Sequence, residues 1–241
     1  MSPSFFDSTK FWAVSFGLIA IPVLLVIAFL FGRYNVERTR RTLKPLRLAT
    51  SLILTVCAWL LWSAGRLEMD TTAMSLAIGM TFGSLGDLIL AGVIPLPKRM
   101  ISGIIAFGIG HVNYILGFMA TAAILSLSNP LTGSMFWVIY VLAASLLWVM
   151  FIHNPAKPRS LNLGSLIYAW LIAVMAGTAG ALAISDARFT LTAIGGLLFL
   201  ISDLILGNRE LRDNAWFLVH DVVWVLYIAG QALIVTTTLR L

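Results

Sequence analysis

Residues 189–206 read FTLTAIGGLLFLISDLIL, an apolar run interrupted by a single charge, Asp203. At a helical rise of about 1.5 Å per residue, such a run crosses most of the roughly 30 Å hydrocarbon layer of a bilayer. A carboxylate at that depth costs about 2.5–3.5 kcal/mol on insertion scales, so its retention points to a function. The context recurs: Gly86-Asp87-Leu88-Ile89-Leu90 matches Ser202-Asp203-Leu204-Ile205-Leu206. Two acids in matching membrane settings suggest a paired-acid site.

The rest of the chain agrees with this reading. Hydrophobic residues make up 60% of it and charged residues 11%, against about 25% charged in soluble domains. Seven further apolar windows lie at 11–32, 46–64, 72–93, 101–126, 134–152, 162–184 and 215–239. With 189–206 they predict an all-α, polytopic integral membrane protein, an eight-transmembrane-helix bundle. The connections are short, so residues 1–241 form a single transmembrane domain. The net charge of +6 is spread over loops rather than gathered on one face, which argues against a nucleic-acid partner and for membrane lipids. Cys57 stands alone, so neither an internal disulfide nor a cysteine metal cluster is expected. The first apolar run exceeds a signal-peptide core and lacks a small-residue cleavage site, so it counts as the first helix.

Lys and Arg set the orientation. The loops after the first, third, fifth and seventh spans hold twelve: Arg33, Arg38, Arg40, Arg41, Lys44, Arg47, Lys98, Arg99, Lys157, Arg159, Arg209 and Arg212. The other side holds four: Lys10, Arg66, Arg188 and Arg240. This bias places the odd loops in the cytoplasm and both termini on the non-cytoplasmic side, as in a multi-pass protein of a bacterial inner membrane. Asp87 and Asp203 then lie in the cytoplasmic half of their spans. His111, Asn113 and Tyr114 lie near the middle of the fourth, and His220, Asp221 and Tyr227 in the eighth. Polar groups from four spans therefore predict a chamber entered from the cytoplasmic side.

Prolines 45, 95, 97, 130, 155 and 158 are expected between spans, and Pro22 within one. An internal repeat is also visible. Lys44-Pro45 returns as Lys157-Pro158 (157 − 44 = 113), Asp87 as Asp203 (203 − 87 = 116) and Tyr114 as Tyr227 (227 − 114 = 113). We expect two tandem four-helix halves, 1–130 and 131–241, related by an axis along the membrane normal.

At these residues the chain resembles the YhhN family of lysoplasmalogenases. The resemblance is carried in order by Lys44-Pro45-Leu46, Leu85-Gly86-Asp87-Leu88-Ile89-Leu90 and Gly110-His111-Val112-Asn113-Tyr114. It continues through Gly196-Leu197-Leu198-Phe199-Leu200-Ile201-Ser202-Asp203, Tyr227 and Gln231-Ala232-Leu233-Ile234. It implies eight helices and cleavage of the vinyl ether bond of a lysoplasmalogen, a lysophospholipid, to a fatty aldehyde and a glycerophospho-base. Asp87 and Asp203 map onto the family's two membrane aspartates. Glu210 after Arg209, and the pair His220-Asp221, depart from the pattern and bear on head-group contacts.

That chemistry needs a proton on the carbon β to the ether oxygen, an oxocarbenium-like cation, and attack by water. Two close carboxyls in a dry site do not both ionise cheaply, so one can supply the proton while the other stabilises the cation and positions water. The expected catalytic residues are Asp87 and Asp203, with His111 relaying a proton or binding the leaving oxygen. Substrate contacts are expected from Tyr114, Asn113, Tyr168, Tyr227 and Gln231, and at the mouth from His220 and Asp221. Each has a plainer reading: a structural hydrogen-bonded carboxyl, a packed histidine, core aromatics, a solvated helix start. Arg209 and Arg212 suit a lipid phosphate or the topology bias alone.

No cofactor and no metal are expected. His111, His220, Asp87, Asp203 and Asp221 are metal-capable types, but their spacing forms no ligand motif. The competing functions are a proton-coupled lipid or small-molecule transporter or flippase, and a lipid-binding membrane protein without chemistry.

Overall fold

The structure, a computed structural model, describes residues 8–64 and 70–240. Arg66, which entered the charge comparison, lies outside them. Eight α-helices follow in order among the described residues: α1 Ser8–Leu30, α2 Lys44–Ala64, α3 Asp70–Leu90, α4 Arg99–Ile124, α5 Pro130–Phe151, α6 Arg159–Ser185, α7 Thr190–Arg212 and α8 Val219–Val235. Short 3-10 turns occupy Ala187–Phe189 and Thr236–Arg240. All eight helices are long and apolar enough to cross a membrane, and no strand occurs among the described residues. The chain is an all-α, eight-helix membrane bundle.

Several boundaries differ from the apolar windows, for local reasons. Pro130 was expected between spans but opens α5, where a missing N–H costs nothing. Asn129 caps that turn, its side chain accepting from the amides of Leu131 (3.1 Å) and Thr132 (3.2 Å). Helix α7 runs past Leu206 to Arg212 because its polar last turns have partners. Asn208 donates to the Phe151 carbonyl (2.6 Å), and Arg212 donates to those of His153 (2.9 Å) and Val149 (3.0 Å). Asp213, at φ +56°, stops it. Helix α8 therefore starts at Val219 rather than 215, and its tail tightens into a 3-10 turn after Val235.

Glycines set two close helix crossings. A Cβ on Gly79 of α3 would sit 3.0 Å from the Gly110 carbonyl oxygen of α4, and one on Gly110 would sit 2.9 Å from that of Gly79. Gly195 of α7 and Gly230 of α8 repeat the arrangement, at 2.9 and 2.8 Å from each other's carbonyl oxygens. Small residues let backbones approach closely in a membrane. Each aspartate-bearing helix is thus clamped to its successor. Helix α4 also packs on α6, and α2 on α8. Helices α1 and α5 lie at the periphery, exposing side chains such as Phe16, Val26, Leu142 and Leu146.

The segment 31–43 is stitched to the start of α8. The Leu218 and His220 amides donate to the carbonyls of Arg38 and Thr39, both at 3.0 Å. Asp221, buried, accepts from the Arg41 amide (2.6 Å), the Thr42 amide (3.2 Å) and the Thr42 hydroxyl. The plainer reading of Asp221, a solvated helix start, is thereby corrected.

Candidate functional site

A cavity of about 590 Å³ opens at the end of the bundle where α2, α4 and α8 begin. Its inner wall carries Asp87 of α3, Asp203 of α7, Tyr168 of α6 and Tyr227 of α8. The two carboxyls therefore share one void. Much of the remaining wall is apolar, with Leu48, Ile104, Phe107, Ile172, Leu200 and Trp224. Arg40, Lys44, Arg47 and Arg99 ring the mouth together with His220 and Glu210.

Asp87 is gripped at one oxygen. Its Oδ2 accepts from the Ser51 hydroxyl (2.5 Å) and from the Tyr227 phenol (2.9 Å). Ser51 is backed by Ser84 (2.7 Å), and Ser84 by Thr55 (2.6 Å). Ser84 and Thr55 each also reach the Ser51 carbonyl (both 3.1 Å), so the three hydroxyls form one connected cluster behind the carboxyl. On the other side, Gln231 donates to the Tyr227 oxygen (3.2 Å) while accepting from Tyr114 (2.6 Å). Oδ2 thus takes one hydroxyl from α2 and one phenol from α8, each backed by further polar groups of α2, α3, α4 and α8, and Oδ1 has no hydrogen-bond partner among the described residues.

Asp203 is held by one donor. The Tyr168 phenol donates to its Oδ2 at 2.5 Å, and His111 Nε2 lies 3.3 Å from the same phenol oxygen. A phenol that gives its proton to Asp203 can only accept from the imidazole, so His111 carries its proton on Nε2. Its Nδ1 is buried without a hydrogen-bond partner among the described residues. Phe199 packs against the imidazole (centroids 4.6 Å apart) and against Tyr227 (5.1 Å). This shared ring ties the Asp87 and Asp203 arms together.

Among the expected residues, Asp87, Asp203, Tyr168, Tyr227 and His220 line the cavity. His111, Tyr114 and Gln231 are buried one layer behind it. Asn113 points elsewhere and donates to the Ile109 carbonyl of its own helix (2.8 Å). Asp221 has its lone pairs engaged by residues 41 and 42 and is absent from the wall. Arg209 pairs with Glu37 at 3.0 Å, and Arg212 is spent on carbonyls at the end of α5. Among the described residues no three of His, Cys, Asp and Glu gather as a metal-holding group.

Sequence reasoning missed Ser51, Ser84 and Thr55 and the mouth cations Arg40, Lys44, Arg47 and Arg99. A signal existed on α2. Arg47, Ser51 and Thr55 are spaced four apart and form one stripe of a helix, running from mouth to acid.

Fold and cavity define a polytopic membrane protein with paired carboxyls in a chamber open at one end. The model of the YhhN family matches residues 40–238, and the chain belongs to that family. The match takes in every cavity-lining residue and leaves all of α1 outside. No curated protein and no solved structure matches the chain.

Proposed function

We propose that the protein hydrolyses the vinyl ether bond of lysoplasmalogens, giving a fatty aldehyde and glycerophosphoethanolamine or glycerophosphocholine. The carrying observation is that Asp87 and Asp203 face one cavity whose wall is largely apolar and whose rim, at the helix ends, is polar. An amphiphile with its labile bond near its head group fits that order.

In the reaction one carboxyl delivers its proton to the alkenyl carbon β to the ether oxygen, and the C=C electron pair forms the new C–H bond. The ether oxygen shares the resulting positive charge, which the other carboxylate stabilises across the dry chamber. Water adds to the carbon bearing the ether oxygen and loses a proton to a carboxylate. The hemiacetal then collapses to aldehyde and glycerol hydroxyl. Overall, one water is consumed per bond broken. Each aspartate has one oxygen anchored by phenol or hydroxyl and the other oxygen unclaimed, which suits a group that must exchange protons without moving.

The test is aldehyde release from a vinyl ether lysolipid by the purified protein and by Asp87→Asn and Asp203→Asn. Loss in both supports the proposal, and undiminished release in both defeats it. We read the chamber as opening to the cytoplasm, in line with the cation bias of that end.

We also read the bundle as two four-helix halves. Support comes from the matched glycine crossings and from α4 packing on α6 as α8 packs on α2. Transporters share such repeats. Proton-gradient-dependent lipid flux in proteoliposomes, without product, would select a flippase instead.

A further inference from the structure

At the mouth of the chamber Arg40, Lys44, Arg47 and Arg99 stand against one carboxylate, Glu210. Elsewhere at this end Arg209 pairs with Glu37 (3.0 Å) and Lys157 with Asp213 (3.0 Å). None of the four mouth cations has an ion-pair partner among the described residues. Arg47 is the most committed. Its guanidinium carbon lies over the Trp224 ring, 4.8 Å from the centroid, and its Nε is buried with no hydrogen-bond partner among the described residues. A cation–π contact attracts the charge but satisfies none of the N–H groups.

The helix ends sharpen the point. Lys44 and Arg47 occupy the first turn of α2, and Arg99 the first position of α4, with no acidic residue in either first turn. Helix N-termini carry a positive partial charge and favour anions. Cations gathered at two such ends repel the macrodipoles and one another, and a bound anion relieves both. Lys44 also donates to the Ala91 carbonyl, which fixes its ammonium at the rim.

We propose that Arg47, with Lys44, Arg40 and Arg99, forms a phosphate site at the chamber mouth that holds the head-group phosphate of the lysolipid. In its lipid assignment this rests on the function proposed above. The spacing agrees with it. Ser51, which donates to Asp87, lies one helical turn, about 6 Å, below Arg47 on the same stripe of α2. A glycerol unit spans a comparable length between its phosphate and an ether at the far carbon. Phosphate held at Arg47 therefore sets the alkenyl bond beside Asp87 and Asp203. An anchor at fixed distance from the acids makes the site selective for a phosphate-bearing lysolipid over a neutral alkenylglycerol.

The experiment measures binding rather than turnover. The probes are a saturated 1-O-alkyl lysophosphatidylethanolamine, which has no vinyl bond to cleave, the matching 1-O-alkylglycerol, and inorganic phosphate, each titrated into full-length protein in nanodiscs. Wild type is expected to bind the phosphorylated probe about ten-fold tighter than the alkylglycerol, the scale of one charge-assisted contact. Arg47→Gln should shrink that ratio towards one while alkylglycerol affinity holds, which also shows that the variant is folded. Arg99→Gln should shrink it less. A ratio that both variants leave unchanged overturns the site. Displacement of the lipid probe by millimolar inorganic phosphate, lost in Arg47→Gln, places the head-group phosphate in this site. Inorganic phosphate that binds in an Arg47-dependent way, with the phosphorylated probe no tighter than the alkylglycerol, assigns the site to free phosphate and overturns the lipid assignment. Wild type that releases no aldehyde while the ratio still falls in Arg47→Gln removes the reaction and leaves the phosphate site standing.

Discussion

Asp221 and the pair Asp87 and Asp203 are all carboxyls withdrawn from bulk water by the same bundle, yet their surroundings differ in kind. Asp221 meets three donors from residues 41 and 42, which engage both of its oxygens, and it does not line the chamber. Asp87 and Asp203 are each held at Oδ2 alone and line the chamber. A buried carboxyl whose lone pairs are all met by backbone and hydroxyl groups is a fastener. One anchored on a single side, with its other oxygen turned to a void, is arranged for chemistry. The count and direction of donors separate the two roles where burial alone does not.

The sharpest way to break this contrast is at the paired acids. Asp87→Asn and Asp203→Asn are each expected to cut aldehyde release by about 10²–10⁴-fold, the range of a lost general acid or base. Detergent melting temperature should change little, since an amide accepts the same donors. The opposite pattern is expected of Asp221→Ala. Unpairing two amides and a hydroxyl should destabilise the fold by about 3 kcal/mol, read as a lowered melting temperature, with specific activity of the folded fraction close to wild type. If Asp221→Ala abolishes turnover without loss of stability, the division of roles is wrong.

Smaller effects refine the chamber side of the comparison. Tyr168→Phe removes the hydroxyl anchor of Asp203 and is expected to lower turnover about ten-fold, the scale of one hydrogen bond to a charged group. His111→Phe acts only through that phenol. It should cost less alone and add almost nothing on top of Tyr168→Phe, a non-additivity read from a double-mutant cycle. Full additivity would put His111 in direct touch with substrate.

The smallest effect belongs to an acid at the opposite end of the bundle. The side-chain hydrogen bonds of Arg188, assisted by its amide, hold the half-buried Asp186 carboxyl below the ordinary carboxylate range. Its stabilising contribution is present at neutral pH and fades as pH falls through that lowered value. Being open to solvent, the pair is heavily screened. Asp186→Asn should leave both melting temperature and turnover unchanged at neutral pH.

How far these roles could be read in advance varied with residue. The apolar windows located each helix because hydrophobic length is a one-dimensional property, and Asp87 and Asp203 stood out because a carboxyl in such a run is costly. The ends of α7 and α8 were misplaced because Asn208 and Arg212 find their acceptors on the end of α5, more than fifty positions away. Asp221 read as a solvated helix start for the same reason, since its donors arrive from residues 41 and 42. Ser51, Ser84 and Thr55 passed unremarked because lone hydroxyls are common in membrane helices. Their meaning lies in pointing at one carboxyl.

Sequence alone settled what a bilayer demands of this chain: the number of apolar helices, the acids worth explaining, and the end of the bundle richest in cations. These follow from solvation, which acts residue by residue. Tertiary structure alone decided which polar groups meet. It brought Tyr227 of α8 to Asp87 of α3 and Tyr168 of α6 to Asp203 of α7, left Asn113 on its own helix, and set Arg47 unpaired above the chamber. Hydrogen bonds and charge pairs act over a few ångströms, and in an eight-helix bundle those distances are fixed by how the helices cross.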